Sequence, residues 1–230
     1  MKNHIVSLSF DDGFAKSFEK IADIYEECGL KACLNVISKA CEPDFASPDK
    51  WHNSATGKWE LWNRLAKRGH EIMPHSYNHS NCAKMPAGEC FKQIDMCLES
   101  FDRNLEGFDR TEAVFNFPYN SSTPEVEAYL LGRLRAVRTG GSGFNPWPSR
   151  ELKIITTCAH GPDNCESHLE KQVEKLLAMD RGWLVYNTHG LDEEGWGPIS
   201  TGFLKSFLRR MASIESVEQL PVAAALKKYS

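Results

Sequence analysis

Asp11 and Asp12 stand side by side in HIVSLSFDDG, residues 4–13, where an apolar run ends on two carboxylates and a glycine. Like charges this close raise each other's pKa unless a cation or hydrogen bonds hold the ionised forms. Asp and Gly are also common turn residues, so the pair reads either as a turn or as a metal site with a base beside it. His75 and His79, in PHSYNH, are four apart, a spacing that faces two imidazoles the same way on one helical turn. Two imidazoles and a carboxylate are a common set for zinc or a related divalent ion. Such an ion lowers the pKa of water toward ~7. One aspartate then serves as ligand and the other as a base, and the cation eases the conflict between them. A third histidine, His189, follows the apolar run WLVYNT. Taken singly, each has a plain structural reading: a turn, a surface pair, a packed imidazole.

Only a fold that brings these positions to one rim makes them a site. Apolar runs at Ile5–Phe10, Lys31–Ile37, His70–Pro74, Ala113–Phe117, Arg135–Arg138, Leu152–Thr156 and Trp183–Asn187 predict strands. Stripes spaced three and four apart predict helices over Lys16–Cys28, Trp59–Arg68, Pro86–Leu105, Pro124–Leu131, Asn164–Met179, Phe203–Ile214 and Pro221–Tyr229, with Gly29 and Gly69 as stops. The stretches Cys41–Gly57 and Thr139–Ser149 read as loops. About seven strands, most followed by a helix, predict a single α/β domain over 1–230, a mostly parallel sheet closed or nearly closed into a barrel. Sites in such barrels form at the carboxyl ends of the strands. That rule selects Asp11 and Asp12, His75 and His79, Pro118 and Tyr119, Arg138, and His189.

Composition narrows the function. The chain has 230 residues, 41% hydrophobic and 25% charged, with net charge −4, which is ordinary for a globular protein and gives no reason to expect nucleic acid or a membrane surface as partner. No apolar run reaches the ~18 residues of a membrane span, and the first apolar run is cut by Asp11 and Asp12, unlike a secretory signal. A cytoplasmic location is the expectation. The eight cysteines contain no CxxC pair, so free thiols are expected and a cysteine zinc site is not.

With these residues in view, the chain resembles the polysaccharide deacetylase family, also called carbohydrate esterase family 4. SFDDG (9–13) resembles its first motif, GHEIMPHSYNH (69–79) its second, FNFPYN (115–120) its third and WLVYNTHG (183–190) its last. The resemblance implies a distorted (β/α)7 barrel and metal-dependent removal of acetyl groups, usually from N-acetylated sugars. Two histidines and a carboxylate accept zinc, the first expectation, but also cobalt, nickel or iron. By position the resemblance implies Asp11 as catalytic base, Asp12, His75 and His79 as metal ligands, His189 as general acid, and the Tyr119 backbone amide as oxyanion donor. Pro118, Arg138 and Trp147 are further candidates for facing the substrate.

Three departures from the family pattern are visible. The third motif carries an arginine that orients the base, whereas Asn116 lies in that region here; Arg138, after the next strand, is the candidate replacement. The fourth motif, an Asp/Trp pair, has no clear counterpart, and Trp147 in GFNPWP is the candidate wall for a sugar ring. Asn187 stands where the last motif has an apolar residue lining the acetyl pocket. The leading expectation is hydrolysis of an N-acetyl group. An O-acetyl sugar esterase and a catalytically silent carbohydrate-binding barrel are the alternatives.

Overall fold

In the computed structural model, residues 2–46, 50–52 and 54–229 are described. The elements alternate along most of the chain: β1 (His4–Phe10), α1 (Ala15–Glu27), β2 (Cys33–Val36), α2 (Trp59–Lys67), β3 (Glu71–Pro74), α3 (Ala87–Asn104), β4 (Val114–Asn116), α4 (Pro124–Leu131) and β5 (Ala136–Gly140). There follow β6 (Phe144–Asn145), β7 (Ile154–Thr157), α5 (Cys165–Leu177), β8 (Gly182–Thr188), α6 (Thr201–Ser213), β9 (Val217–Gln219) and α7 (Val222–Lys228). Single 3₁₀ turns occupy Ser38–Cys41 and Pro118–Asn120.

Local chemistry sets the helix limits. Phe18, Ile21, Ala22, Ile24 and Tyr25 make the buried stripe of α1. Gly29, at φ 70°, turns the chain out of it in a conformation that L side chains adopt rarely. Pro124 opens α4 behind Thr123, whose hydroxyl accepts from the Val126 N–H at 3.4 Å. Ser200 caps α6 by accepting from Phe203 N–H at 3.2 Å.

β1 is central. It pairs in parallel with β8 along its whole length and with β2 near its carboxyl end, and β3 continues the sheet beyond β2. A second parallel sheet runs β4–β5–β7. One parallel bridge, Cys158 to Tyr186, joins the β7 end to β8. At the other seam side chains take over: Asn116 donates to Pro74 O at 3.4 Å, and Asn116 O accepts from His75 Nδ1 at 2.8 Å. The result is a distorted (β/α)7 barrel of β1, β2, β3, β4, β5, β7 and β8. Two further strands lie outside the sequence expectation. β6, inside the expected loop 139–149, is antiparallel to β8; β9 is parallel to the start of β1.

Strand period two divides each strand between two environments. Val6, Leu8 and Phe10 join the large apolar layer beneath the helices. Ile5 faces the other way, into a cluster with Val114, Ala136, Ile155, Trp183 and Val185 that α7 plugs with Val222, Ala225 and Leu226. Further along the same inward face the residues turn polar: Ser9, Asp11, Asn35, Asn116, Arg138 and Asn187 are all buried. The barrel is thus apolar at the amino ends of its strands and polar at their carboxyl ends. Such a buried polar layer is tolerable only if its groups are hydrogen-bonded.

Candidate active site

The polar layer converges on Asp11. Its Oδ2 accepts from Arg138 Nη2 at 2.6 Å and from Asn187 Nδ2 at 2.8 Å, while Oδ1 accepts from Asn35 Nδ2 at 2.7 Å. Arg138 also donates to Ser9 Oγ at 3.1 Å, and Asn116 Nδ2 donates to Asn35 Oδ1 at 2.9 Å. Burial by itself pushes the Asp11 carboxyl up, but the charge of Arg138, helped by His75 and His189, outweighs it and holds the carboxyl below its ordinary value. Asp11 is therefore an ionised carboxylate fixed by three donors, with the guanidinium reaching it across the barrel from β5.

Asp12 turns the other way. Its φ of 80° bends the chain at once after β1. Its Oδ1 lies 3.3 Å from Nε2 of both His75 and His79. Its Oδ2 lies 3.3 Å from His52 Nε2 and 4.0 Å from His189 Nε2. Burial again opposes ionisation, and the surrounding imidazoles, His79 foremost, hold Asp12 well below the usual carboxylate range.

The two histidines of PHSYNH meet, but not on a helical turn. Ser76 at φ 67° and His79 at φ 61° form an irregular turn, tied by the His79 N–H donating to Ser76 Oγ at 2.9 Å. The spacing of four brings the rings to 5.2 Å between centroids through left-handed backbone rather than helical repeat. With Asp12, Tyr119 (φ 57°) and Asn120 (φ 49°), five of the seven non-glycine residues at positive φ among the described residues lie at this rim. Each such residue costs of order 1–3 kcal/mol, and strain of this kind concentrates where function requires it.

Asp12, His75 and His79 offer ligand atoms all within 4.8 Å of one another. The fit to a divalent cation rests on the polar atoms. Asp12 Oδ1 is buried with no hydrogen-bond partner among the described residues. His75 donates its Nδ1–H to Asn116 O, leaving the Nε2 lone pair toward Asp12. Burial pushes His79 down to about 4 against the pull of Asp12, so its imidazole is neutral at pH 7, the form that binds metal. Burial also depresses His75, but Asp11 and Asp12 raise it above its ordinary value, so protons compete with a cation there as pH falls. One carboxylate and two imidazoles suit zinc and its neighbours.

Over this centre lies a cavity of about 300 Å³ lined by Asp11, Asp12, His75, His79, Asn187, His189, Tyr119, Asn120, Trp51 and Trp196. Tyr119 is half exposed, and its ring centroid lies 4.8 Å from that of His79. His189 follows β8 and meets Trp196 edge-on at 5.8 Å. A Cβ at Gly195 (φ 85°) would come within 2.8 Å of the His189 Cβ, so the turn presenting Trp196 requires glycine there.

The expected site residues divide into two groups. Asp11, Asp12, His75, His79, Tyr119 and His189 gather around the cavity. Arg138 lies behind Asp11, wholly buried, and so does not face a substrate. Pro118 is buried beneath Tyr119 and does not line the cavity. Trp147 is at the other end of the barrel: β6 runs antiparallel to β8, so the chain after Asn145 heads back toward Arg181, whose guanidinium lies 3.9 Å from the Trp147 ring. Its partners are Arg181 and Tyr229, and it forms no wall of this cavity. Sequence reasoning missed Trp51, His52 and Trp196. Asn187 both lines the cavity and holds Asp11.

The model of the polysaccharide deacetylase family matches residues 1–132. The chain belongs to the polysaccharide deacetylase family. A bifunctional xylanase/deacetylase from Pseudobutyrivibrio xylanivorans is 29% identical over 91 residues, which are 40% of this chain and only 13% of that protein. Solved structures share the fold along the whole chain. The family 4 carbohydrate esterase (CE4) domain of a multidomain xylanase from the hindgut metagenome of Trinervitermes trinervoides aligns with TM-score 0.64 and 15% identity, over 99% of this chain and 91% of that one. A family 4 acetyl xylan esterase from Clostridium thermocellum, solved with a cobalt ion, gives 0.64 and 16%, over 98% and 93%. The peptidoglycan deacetylase PdaC of Bacillus subtilis gives 0.61 and 14%, over 98% and 92%. Among the described residues, no helix is long and apolar enough to cross a membrane.

Proposed function

We propose that this protein hydrolyses the N-acetyl group of a saccharide with a divalent ion held by Asp12, His75 and His79. The convergence of those three side chains within 4.8 Å, beside an ionised Asp11, carries the reading. When bound, the ion supplies a Lewis acid that acidifies water and polarises an acetyl carbonyl. Asp11 is the base that takes a proton from the attacking water. Its bonds to Arg138, Asn35 and Asn187 leave it one orientation, and a base fixed in place is worth more than a mobile one. The Tyr119 backbone amide is assigned to the oxyanion, a donor of a kind worth about 3–4 kcal/mol. Its support is that Tyr119 lines the cavity.

His189, across the cavity from Asp11, delivers the proton to the leaving amine, since an amine anion is a very poor leaving group. Trp51, Tyr119 and Trp196 supply apolar faces for a sugar ring. A cavity of about 300 Å³ suits one sugar unit and its acetyl group. One observation favours an O-acetyl ester instead: His189 Nδ1 is buried without a hydrogen-bond partner among the described residues, so no acceptor there orients the ring as a proton donor. An alkoxide needs that proton less than an amine does.

The test is acetate release from a panel of N- and O-acetylated sugars, with and without a chelator. Release that stops with chelator and returns with zinc or cobalt supports the reading. Release unaffected by exhaustive chelation, or none from any acetylated sugar with metal supplied, rejects it.

A further inference from the structure

His52 belongs to none of the sequence motifs, yet it is buried against the centre of the site. Its side chain is 3% exposed, and its Nε2 lies 3.3 Å from Asp12 Oδ2, the oxygen turned away from His75 and His79. Its ring stands edge-on to His79 at 4.8 Å and is flanked by Phe14 at 5.9 Å and Phe45 at 6.4 Å. The chain just beyond it is laced to the turn that follows Asp12. Ala15 N–H donates to Ala55 O and Gly57 N–H to Gly13 O, each at 2.9 Å, and Phe14 bridges to Thr56. The histidine is thus held from two sides, by its ring packing and by its backbone.

We propose that His52 is a positioning residue for the metal-ligand carboxylate. Its Nε2, 3.3 Å from Asp12 Oδ2, is placed to donate there, and so to hold Oδ1 toward the two imidazoles. A carboxylate that can rotate offers either oxygen, or both, to a cation; one whose outer oxygen is bonded offers a single oxygen in a fixed direction. Such outer partners typically change metal affinity 10–100-fold. The same bond anchors the loop that carries Trp51, so one residue ties a cavity wall to the ligand set. The inference rests on the metal reading proposed above and extends it to a residue in a loop without a motif.

The experiment is a zinc competition titration against a chromogenic chelator on wild type, His52→Gln and His52→Phe, with circular dichroism for folding and the visible spectrum of the cobalt form for ligand geometry. Gln keeps an N–H donor, whereas Phe keeps only the ring. Affinity down 10–100-fold in His52→Phe, with most of it restored in His52→Gln and the cobalt bands of His52→Gln matching wild type, is the expected result. Wild-type affinity in His52→Phe reduces His52 to packing and overturns the proposal. Cobalt bands altered in His52→Gln make His52 a direct ligand and overturn it equally. If His52→Phe does not fold, a folded His52→Gln that has lost tenfold or more is itself decisive against the proposal. No zinc binding by wild type rejects the metal reading itself, and this inference with it.

Discussion

Arg138→Met removes the guanidinium that faces Asp11 from across the barrel. Breaking a buried pair by deleting one partner costs ~3–5 kcal/mol, because the other charge is left uncompensated. Here the Arg138 side chain is 0% and the Asp11 side chain 3% exposed, so no solvent screening relieves the loss. Asn35 and Asn187 still donate to the carboxylate, which puts the cost at the lower end, about 3 kcal/mol, out of a total stability of ~5–15 kcal/mol. Losing the guanidinium raises the folded pKa of Asp11, since burial then acts with less charge to oppose it.

The sign of the pH dependence follows. In wild type the folded pKa of Asp11 lies below its unfolded value of ~3.9. The stability this provides is present above ~3.9 and is lost as pH falls through the folded pKa. In Arg138→Met the folded pKa is higher, so less of that stability exists at neutral pH. The gap between the two proteins, from urea denaturation in excess chelator, is expected to be ~3 kcal/mol at pH 7 and should narrow as pH falls through the variant's higher folded pKa toward that of wild type. Asp11→Asn in the Arg138→Met background removes the stranded charge, so the double variant should be more stable than the two single losses added together. A folded Arg138→Met within about 1 kcal/mol of wild type at pH 7, or a gap that ignores pH, refutes the pairing as the support of Asp11.

Asp11→Asn should abolish acetate release while metal content by elemental analysis stays at the wild-type level, because only the base is lost; activity in that variant removes Asp11 from its role. Asp12→Ala and His79→Ala should each lower metal content, and unchanged content in both rejects the ligand set. His189→Ala should slow release from an N-acetyl sugar far more than from an O-acetyl one, since only the amine needs the proton to leave; general acid catalysis contributes typically 10²–10⁴-fold, and equal losses on both substrates point away from that role.

Helices and barrel strands were legible because they repeat: α1, α3 and α6 each bury a stripe at spacings of three and four, and glycines stop α1 and α2. β6 and β9 were not, because two and three residues are too few to show a period, and pairing with β8 and β1 makes them strands. The acids and histidines were legible from their places after strands. The geometry of His75 and His79 was not, since positive φ at Ser76 leaves no mark in a serine. Trp51 and His52 carry no signal at all: they come from an irregular loop, and long-range contacts, among them its bonds to residues 13 and 15, bring them in. Trp147 misled because an aromatic ring in a glycine- and proline-rich loop looks like a sugar platform, whereas β6 reverses the chain and carries it to the far end of the barrel.

The exchange of an arginine for Asn116 makes sense once the inward faces are considered together. Asn116 is too short to serve as a cation for Asp11. Instead it donates to Asn35, which donates to Asp11. Its backbone carbonyl meanwhile accepts from His75. One residue, through its side-chain amide and its backbone carbonyl, thus connects Asp11 and His75 across the seam between β3 and β4, where the sheets lack a continuous ladder. The positive charge that an ionised, buried Asp11 needs has to come from elsewhere on the inner wall. β5 presents Arg138 inward at the same level, since Arg138 is in register with Asn116, and a guanidinium is long enough to cross the interior. The electrostatic requirement is met by the barrel's inward face as a whole, not by any one strand. Moving the arginine back, as Asn116→Arg with Arg138→Asn, should therefore preserve an ionised Asp11 while cutting the bond between Asn116 and Asn35. Acetate release that survives the swap would show that charge at Asp11 matters more than the path by which it arrives. Loss of release together with retained fold and metal would show that the amide relay has a role of its own.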